Sequence, residues 1–248
     1  MKRMIDIISQ LTTAQRVGYG FVLLCLFIVL FEVGGLLYLR SQVGRYDRFW
    51  QQKATESGEI VYIALGDSAA QGIGATSPMR GYVGLITQKL EAETGKSVRV
   101  INLSKTGAKI DDVLQRQIPS LSDYPEADII TLEIGANDVK TFMPEEFRRS
   151  FSEVLEQLPE NTYVSDLPDF GAGPLLEPQN EASSIAARLI KEQTQLNFVA
   201  LEQETEEHFR HWIDHSFDFF HPDNNGYKIW FNAFWQQIED SPLVDKQQ

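Results

Sequence analysis

The chain has 248 residues, of which 43% are hydrophobic and 23% are charged, values typical of a globular protein with one substantial core. Its formal net charge of −13 is uneven: residues 1–58 carry seven Lys or Arg and four Asp or Glu (7 − 4 = +3), and the remainder carries 15 against 31 (15 − 31 = −16). A body this acidic repels phosphate backbones, which disfavours nucleic-acid binding. The single cysteine, Cys25, excludes an intrachain disulfide and a cysteine metal cluster.

The first predicted element is a membrane-spanning helix at residues 17–40, which follows a short N-terminal tail at residues 1–16. The helix is long enough to cross a bilayer core, and Glu32 is its only charge before Arg40. A cleaved signal peptide is the alternative interpretation, but no small-x-small cleavage site follows the apolar run. We therefore expect an uncleaved, single-pass anchor in the membrane. The pattern assigns no role to Glu32.

The orientation of this anchor depends on basic residues that nearly balance across it. The N-terminal flank contains Lys2, Arg3 and Arg16, and the C-terminal flank contains Arg40, Arg45, Arg48 and Lys53. The two flanks therefore carry nearly equal positive charge, and the excess that normally marks the cytoplasmic side is small. Because a short tail before a first helix usually stays inside, we expect the body of the protein to lie outside the cytoplasm.

Residues 41–58 are polar and mixed in charge and predict a linker, which leaves residues 59–248 as the folded domain. Within that domain apolar β-type runs alternate with amphipathic helical patterns. The predicted strands lie at 60–65, 98–103, 128–134, 162–167 and 197–201, and the predicted helices lie near 81–94, 109–117, 144–157, 181–195 and 224–239. This alternation predicts a parallel sheet of about five strands covered by helices on both faces.

Short polar motifs follow three of the predicted strands and precede the last helix. They are Gly-Asp-Ser at 66–68, Asn-Leu-Ser-Lys-Thr-Gly at 102–107, Gly-Ala-Asn-Asp at 135–138 and Asp-Phe-Phe-His-Pro at 218–222. Parallel sheets of this type bind ligands at the carboxyl ends of their strands, where the strand order reverses. We therefore expect the four motifs to lie close together.

These motifs contain the groups that acyl transfer requires. A serine hydroxyl needs a neighbouring base and a third group that orients the base, and Ser68, His221 and Asp218 supply them. Negative charge that develops on the carbonyl oxygen needs fixed donors, which the backbone N–H groups of Ser68 and Gly107 and the side-chain amide of Asn137 can provide. Taken singly, each motif also occurs as an ordinary turn, helix cap or loop. Their combination, in this order along one α/β pattern, favours catalysis.

In these motifs the chain resembles the SGNH, or GDSL-type, hydrolases over essentially all of residues 59–239. The resemblance implies a flavodoxin-like three-layer α/β/α fold and hydrolysis of acyl esters without a cofactor. It also implies a catalytic triad of Ser68, His221 and Asp218, and an oxyanion hole of Ser68, Gly107 and Asn137. The N-terminal anchor is not part of the core of that family.

Other interpretations of the same residues are less favoured. The glycines at 66, 72 and 74 do not have the spacing of a dinucleotide-binding loop, and we expect Gly72 and Gly74 to keep the space beside Ser68 open for substrate. His208, His211 and His215 would share a face if that segment is helical, but interleaved charges suggest a solvated surface rather than a metal site. Asp214 is the alternative triad acid.

The sequence thus predicts a membrane-anchored serine esterase. Its expected partners are the membrane and an acyl ester, either a lysophospholipid, a short-chain ester or an acetylated glycan. Acyl transfer to a sugar hydroxyl by the same triad is one alternative, and a non-catalytic binding module tethered to the membrane is another. The apolar segment 166–179 after the fourth strand predicts a lid or a loop that contacts the acyl chain.

Overall fold

The computed structural model of the protein describes residues 12–171 and 176–244. Most of the predicted N-terminal tail and four residues of the predicted lid segment (172–175) lie outside the described residues. The chain divides into two compact units, Met1–Ser41 and Gln42–Gln248. The first contains the predicted anchor, and the second contains the sheet.

One helix in the described residues is long and apolar enough to cross a membrane, as judged by its length and composition. It is α1, Thr13–Lys53. The large apolar side chains along its first part are exposed, and Phe21 and Leu30, for example, are 66% and 70% exposed. Side chains of this kind are normally buried in soluble proteins, so lipid is a suitable environment for this stretch.

The structure differs from the prediction at the linker, residues 41–58. Helix α1 continues to Lys53, and the second compact unit begins at Gln42. Gln42, Tyr46 and Trp50 are buried although most of their neighbours are polar and exposed. Since the three residues are spaced by four, they share one face of the helix, which is how a mostly polar segment packs against a domain. The second compact unit therefore begins at Gln42, whereas the sequence predicted a folded domain from residue 59.

The centre of the second unit is a five-stranded sheet in which every pair of neighbours is parallel. The strands are β1 (Ile60–Gly66), β2 (Val98–Asn102), β3 (Ile129–Glu133), β4 (Tyr163–Ser165) and β5 (Asn197–Val199), in the spatial order β2-β1-β3-β4-β5. This is the flavodoxin-like order, whose switch point lies between β1 and β3. The prediction of a parallel five-stranded sheet is confirmed.

Helices cover both faces of the sheet, as predicted. In chain order they are α2 (Ser68–Gln71), α3 (Tyr82–Thr94), α4 (Ile110–Asp112), α5 (Ile118–Ser120), α6 (Pro144–Gln157), α7 (Glu177–Glu192), α8 (Leu201–His208) and α9 (Gly226–Ile238). A π-helical turn, Val113–Gln117, joins α4 to α5, so the predicted helix at 109–117 is a composite of short pieces. Helix α8 was not predicted.

Alternate residues of the strands supply two separate cores. From β1, Ile63 and Leu65 pack on the face that α6 and α7 cover, while Tyr62 and Ala64 pack on the face that α3 and α9 cover. This alternation follows from the period of two in a strand, and it explains why the strands are apolar throughout. The resulting three-layer sandwich fixes the carboxyl ends of β1 and β3 side by side at the switch point.

Candidate active site

The predicted nucleophile lies directly after β1, at the first position of the short helix α2. Asp67 caps this helix, because its Oδ1 atom accepts the N–H of Ala69 at 2.9 Å. Such a cap satisfies one of the free N–H groups at a helix start. Ser68 is thereby held at the turn between strand and helix, where it is only 3% exposed but lines a small cavity of about 30 Å³ together with His221.

Ser68, His221 and Asp218 form one chain of hydrogen bonds. Nε2 of His221 lies 2.8 Å from Oγ of Ser68, and Nδ1 of His221 lies 2.5 Å from Oδ2 of Asp218. Burial alone would raise the pKa of Asp218, but the hydrogen bond and charge of His221 and two backbone N–H groups hold this pKa below its usual value. Asp218 is therefore a carboxylate at neutral pH, and it can accept a hydrogen bond from Nδ1 of His221 while Nε2 faces the hydroxyl of Ser68.

A turn brings Asp218 and His221 together. Phe219 has a φ of 50°, in the left-handed region that non-glycine residues rarely occupy. Oδ1 of Asp218 accepts the N–H of Phe220 at 3.2 Å and that of His221 at 3.0 Å. Asp214, the alternative acid, is instead bound by the guanidinium of Arg210 at 2.9 Å and 3.0 Å. Of the two acids, Asp218 is the one that contacts His221.

Two of the three predicted oxyanion donors have free N–H groups. In the described part of the chain, the backbone N–H groups of Ser68 and Gly107 donate to no acceptor. Gly107 has a φ of +79°, and a Cβ atom at this position would meet nothing within 4 Å, so its backbone faces open space. Both groups can therefore donate to a bound oxygen without breaking an existing hydrogen bond.

The third predicted donor, Asn137, is already engaged. Its Nδ2 donates to Oδ2 of Asp67 at 2.9 Å and to the carbonyl oxygen of Ala108 at 3.1 Å. An amide nitrogen has two hydrogens, so both are used. For Asn137 to donate to an oxyanion, one hydrogen must exchange its acceptor. The bond to the carbonyl of Ala108, the residue after Gly107, is the longer of the two.

Two buried carboxyl groups lie beneath the nucleophile. Burial raises the pKa of Asp67 to about 6, against the opposing hydrogen bonds from Ala69, Ser68 and Asn137. Burial also raises the pKa of Glu133, at the end of β3, well above its usual value, and the nearby Asp67 adds to this effect. In the described part of the molecule neither carboxyl oxygen of Glu133 has a hydrogen-bond partner. The sequence pattern did not predict a buried acid here.

Three buried glutamines fix the main chain around the site. Gln117 accepts the N–H of Gly66 and donates to the carbonyl of the same residue, both at 2.8 Å. Gln71 donates to the Ser104 carbonyl at 3.2 Å and accepts the N–H of Thr106 at 3.1 Å. Gln42 accepts the N–H of Gly74 and donates to the carbonyl of Ala75, both at 2.9 Å. An amide side chain can donate and accept at once, so it replaces a missing backbone partner. Nothing in the sequence marked these three residues.

A larger cavity of about 340 Å³ opens next to the one at Ser68. Ala136, Pro168, Phe170, Phe220, Pro222 and Trp230 line both spaces. The described part of the predicted lid segment contributes Pro168, Asp169, Phe170, Leu176 and Gln179 to the larger cavity. Most of the lining residues are apolar or aromatic, which is typical of a small-molecule binding site. The polar ones are Lys140, Asp169, Gln179, Thr205, His211 and His215.

The histidines that suggested a metal site do not lie on one helix, since α8 ends at His208. His211 bonds Asp169 with 3.1 Å between Nε2 and Oδ2, and His215 bonds the carbonyl of His211 through Nδ1 at 2.5 Å. Within the described ranges no three His, Cys, Asp or Glu side chains are placed to hold a metal ion. Gly74 also differs from expectation: it packs against Pro222 and His221 rather than leaving space for substrate.

The flavodoxin-like fold, with hydrogen-bonded Ser68, His221 and Asp218 beside the carboxyl ends of its strands, defines the class of protein as a carboxylic ester hydrolase. The sequence profile of the GDSL-like Lipase/Acylhydrolase family matches residues 64–229, which is most of the second unit. The chain belongs to this family. A search of curated protein sequences found no match.

Solved structures with the same fold include several esterases. A lipase/acylhydrolase from Enterococcus faecalis is 19% identical, with a TM-score of 0.61 over 73% of this chain and 95% of that one. The acetylxylan esterase Axe2 from Geobacillus stearothermophilus is 17% identical, with a TM-score of 0.59 over 77% and 99%. The esterase EstA from Pseudoalteromonas sp., in a structure inhibited by monoethylphosphonate, is 21% identical, with a TM-score of 0.53 over 73% and 97%. At these identities the likeness concerns the fold.

Proposed function

We propose that the protein is a membrane-anchored serine esterase in which Ser68 attacks the acyl carbon and His221 and Asp218 complete the triad. The observation that carries this proposal is the hydrogen-bond chain from Oγ of Ser68 to Nε2 of His221 at 2.8 Å, and from Nδ1 of His221 to Asp218 at 2.5 Å. This is the arrangement that a weak hydroxyl nucleophile needs: a base within reach and a third group that orients the base.

In the proposed reaction His221 takes the proton of Ser68 as the hydroxyl oxygen bonds to the carbonyl carbon. The negative charge that develops on the carbonyl oxygen is stabilised by the free N–H groups of Ser68 and Gly107, and by Asn137 when one of its hydrogens leaves the Ala108 carbonyl. His221 then gives its proton to the leaving alcohol, and an acyl-serine forms. Water, activated by His221, releases the acid and restores Ser68.

We infer that the acyl chain occupies the aromatic cavity of about 340 Å³ beside Ser68. Its walls include Phe170, Phe209 and Phe220, and exposed apolar side chains, Trp212 (86% exposed) and Phe219 (57%), lie in the same segment of the chain. Each buried CH₂ group is worth about 0.8 kcal/mol, which raises kcat/KM by up to about fourfold per methylene until the cavity is filled. This favours a lipid-like ester such as a lysophospholipid over an acetylated glycan.

The proposed anchor is the apolar part of α1 at residues 17–40, with the catalytic unit on the extracytoplasmic side. Its support is a helix long and apolar enough to cross a bilayer, with exposed apolar side chains. Protease added to intact cells should digest the catalytic unit. Protection of that unit until the cells are broken would place it in the cytoplasm instead.

A panel of esters from acetyl to long acyl chains, assayed with and without an added acceptor sugar, tests the substrate proposal. We expect kcat/KM to rise with chain length and the products to be free acid and alcohol. A maximum at acetyl esters would contradict occupation of the cavity by an acyl chain, and the acetylated glycan, as in the acetylxylan esterase of similar fold, would take its place. Acylated sugar as the main product would identify an acyltransferase.

A further inference from the structure

The end of helix α1, residues Gln42–Lys53, makes contacts that its polar sequence did not predict. We call it the clamp segment. Gln42, Tyr46 and Trp50 lie on its inward face and are 0%, 4% and 2% exposed. The family profile matches residues 64–229, so the clamp segment lies outside the matched region. What it contacts in the catalytic unit therefore indicates what it contributes to this protein.

The side-chain polar atoms of Gln42, Tyr46 and Trp50 bind the main chain of residues 71–75, which we call the loop; it comprises the last residue of α2 and the four residues after it. The side chain of Gln42 accepts the N–H of Gly74 and donates to the carbonyl of Ala75, both at 2.9 Å. The hydroxyl of Tyr46 donates to the same carbonyl at 2.7 Å, and Nε1 of Trp50 donates to the carbonyl of Gln71 at 3.0 Å. The clamp segment thus replaces secondary-structure partners that this loop lacks.

The bound loop contacts the catalytic histidine. Gly74 has a φ of +100°, and a Cβ atom built there would lie 2.3 Å from the carbonyl oxygen of Pro222 and 2.9 Å from Cβ of His221. The backbone at Gly74 is therefore packed closely against the segment that carries His221. A shift of this loop must move, or lose contact with, the base of the triad.

The same loop also supports the predicted oxyanion donors. The carbonyl of Gln71 is held by Trp50, and the side chain of Gln71 bonds the Ser104 carbonyl and the N–H of Thr106. Thr106 immediately precedes Gly107, whose N–H is free. The clamp segment is thus connected by direct hydrogen bonds and packing to both sides of Ser68.

An aliphatic side chain would suffice if burial were the only role of position 42. A buried amide is costly unless its hydrogen bonds are made, and Gln42 makes both a donor and an acceptor bond to adjacent peptide groups. This fixes the orientation of the Gly74–Ala75 peptide as well as its distance. The geometry points to a positioning role, and displacements of about 1 Å far from the reacting atoms can cost up to about 10²-fold in rate.

We propose that the clamp segment positions the active site: Gln42, Tyr46 and Trp50 hold residues 71–75 so that His221 and Gly107 stay aligned with Ser68. The proposal rests on the proposed function, since it assumes the Ser68–His221 chemistry. Gln42, Tyr46 and Trp50, which lie outside the region matched by the family profile, would thus affect catalysis through the residues they hold and without contact to substrate.

The test compares Gln42→Leu, Tyr46→Phe and a control, Gln52→Leu, all in the full-length protein in detergent micelles. Gln52 is exposed on the same helix, so its replacement changes the helix but not the contacts to the loop. For each variant we would measure Tm, then kcat and KM for a p-nitrophenyl ester well below Tm, with active sites counted by titration with a p-nitrophenyl phosphonate. Counting sites separates slower turnover from a smaller folded fraction.

We expect kcat per titrated site to fall about tenfold in Gln42→Leu and about threefold in Tyr46→Phe, with KM changed by less than about twofold and the control unchanged. A kcat per site within about twofold of wild type in both variants, whatever their Tm, would overturn the proposal and leave only a structural role. An equal loss in Gln52→Leu would overturn it as well. If Gln42→Leu does not fold, Tyr46→Phe decides. A separate variant tests the proposed function: if Ser68→Ala retained wild-type turnover, the proposed function would be wrong, whatever the clamp variants show.

Discussion

Replacement of Asn137 by alanine tests whether its amide serves the oxyanion or only the surrounding structure. The side chain donates to Asp67 Oδ2 at 2.9 Å and to the Ala108 carbonyl at 3.1 Å. A bond to a neutral acceptor contributes about 1 kcal/mol and one to a charged group about 1.5–3 kcal/mol, so Asn137→Ala should lower the free energy of unfolding by about 3 kcal/mol. Denaturant unfolding measures this loss directly.

The effect on catalysis is separate from the effect on stability. Loss of one oxyanion donor typically lowers kcat by about 10²-fold to 10³-fold, and we expect a fall in kcat of about 10²-fold with little change in KM. The assay is ester hydrolysis per titrated active site, in buffer where the variant is fully folded. A matched control is Asn102→Ala. Asn102 is the last residue of β2, and its amide donates to the Ala70 carbonyl at 2.8 Å.

Three results would count against this account of Asn137. An unchanged kcat with a large loss of stability would show that the amide keeps its present acceptors throughout the reaction. An unchanged kcat with a raised KM would make Asn137 a substrate-binding residue. A comparable loss of kcat in Asn102→Ala would also count against the oxyanion role, because it would trace the defect to weakened packing of the strand ends.

Three further predictions concern the acids and the beginning of the domain. Asp218→Asn should lower kcat by roughly 10⁴-fold because the ring loses the partner that fixes its tautomer, whereas Asp214→Asn should mainly lower Tm; the reverse pattern in ester assays would exchange the two roles. Burial raises the pKa of Glu133 in the folded state, so the folded protein is most stable relative to the unfolded chain below the unfolded pKa and loses this stability as the pH rises toward the folded pKa. Glutamine does not titrate, so the Tm of Glu133→Gln minus the Tm of wild type should increase from pH 5 to pH 8. A difference that stays constant over this range would contradict the prediction. A chain that begins at Gln42 should be soluble and active, while one that begins at Glu59 lacks the buried Trp50 and should lose more than about 3 kcal/mol of unfolding free energy; equal stability in denaturant titrations would contradict this.

The strands and most helices could be predicted because their patterns are local. Strand β1 is apolar throughout since both of its faces are buried, and α6 begins at Pro144 with Glu145 and Glu146 in its first turn, which is a strong start signal. Helix α8 gave no such signal. Only Leu201 and Thr205 of its eight residues are buried, so its sequence shows no apolar stripe.

The contacts of residues 42–53 could not be predicted for a related reason. The three inward-facing residues of the clamp segment are a glutamine, a tyrosine and a tryptophan set among charged and polar residues, which on composition alone is typical of a linker. These residues pack into the second compact unit because their side chains form hydrogen bonds with the main chain of residues 71–75, which lie more distant in the sequence than a pattern of one helix can report. Composition and periodicity do not report contacts of this range.

The candidate site shows the same division. Ser68, His221 and Asp218 could be named from the sequence because their chemistry is specific and their motifs lie at the strand ends of one sheet. The supporting groups could not be. Gln117 binds the backbone of Gly66, and Glu133 lies buried without a partner among the described residues; both depend on how distant elements pack, and neither residue type is unusual at its position.

The central claim is that Ser68 is the nucleophile of an ester hydrolase, and covalent labelling tests it most directly. The protein is treated with an alkyl p-nitrophenyl phosphonate, turnover is followed, and the modified peptide is identified by mass spectrometry. We predict one adduct, on Ser68, formed in proportion to the loss of activity. Ser68→Ala should form no adduct and should have a kcat lower by roughly 10³-fold or more. An adduct on another residue that accounts for the inactivation, or near-wild-type turnover by Ser68→Ala, would contradict the account.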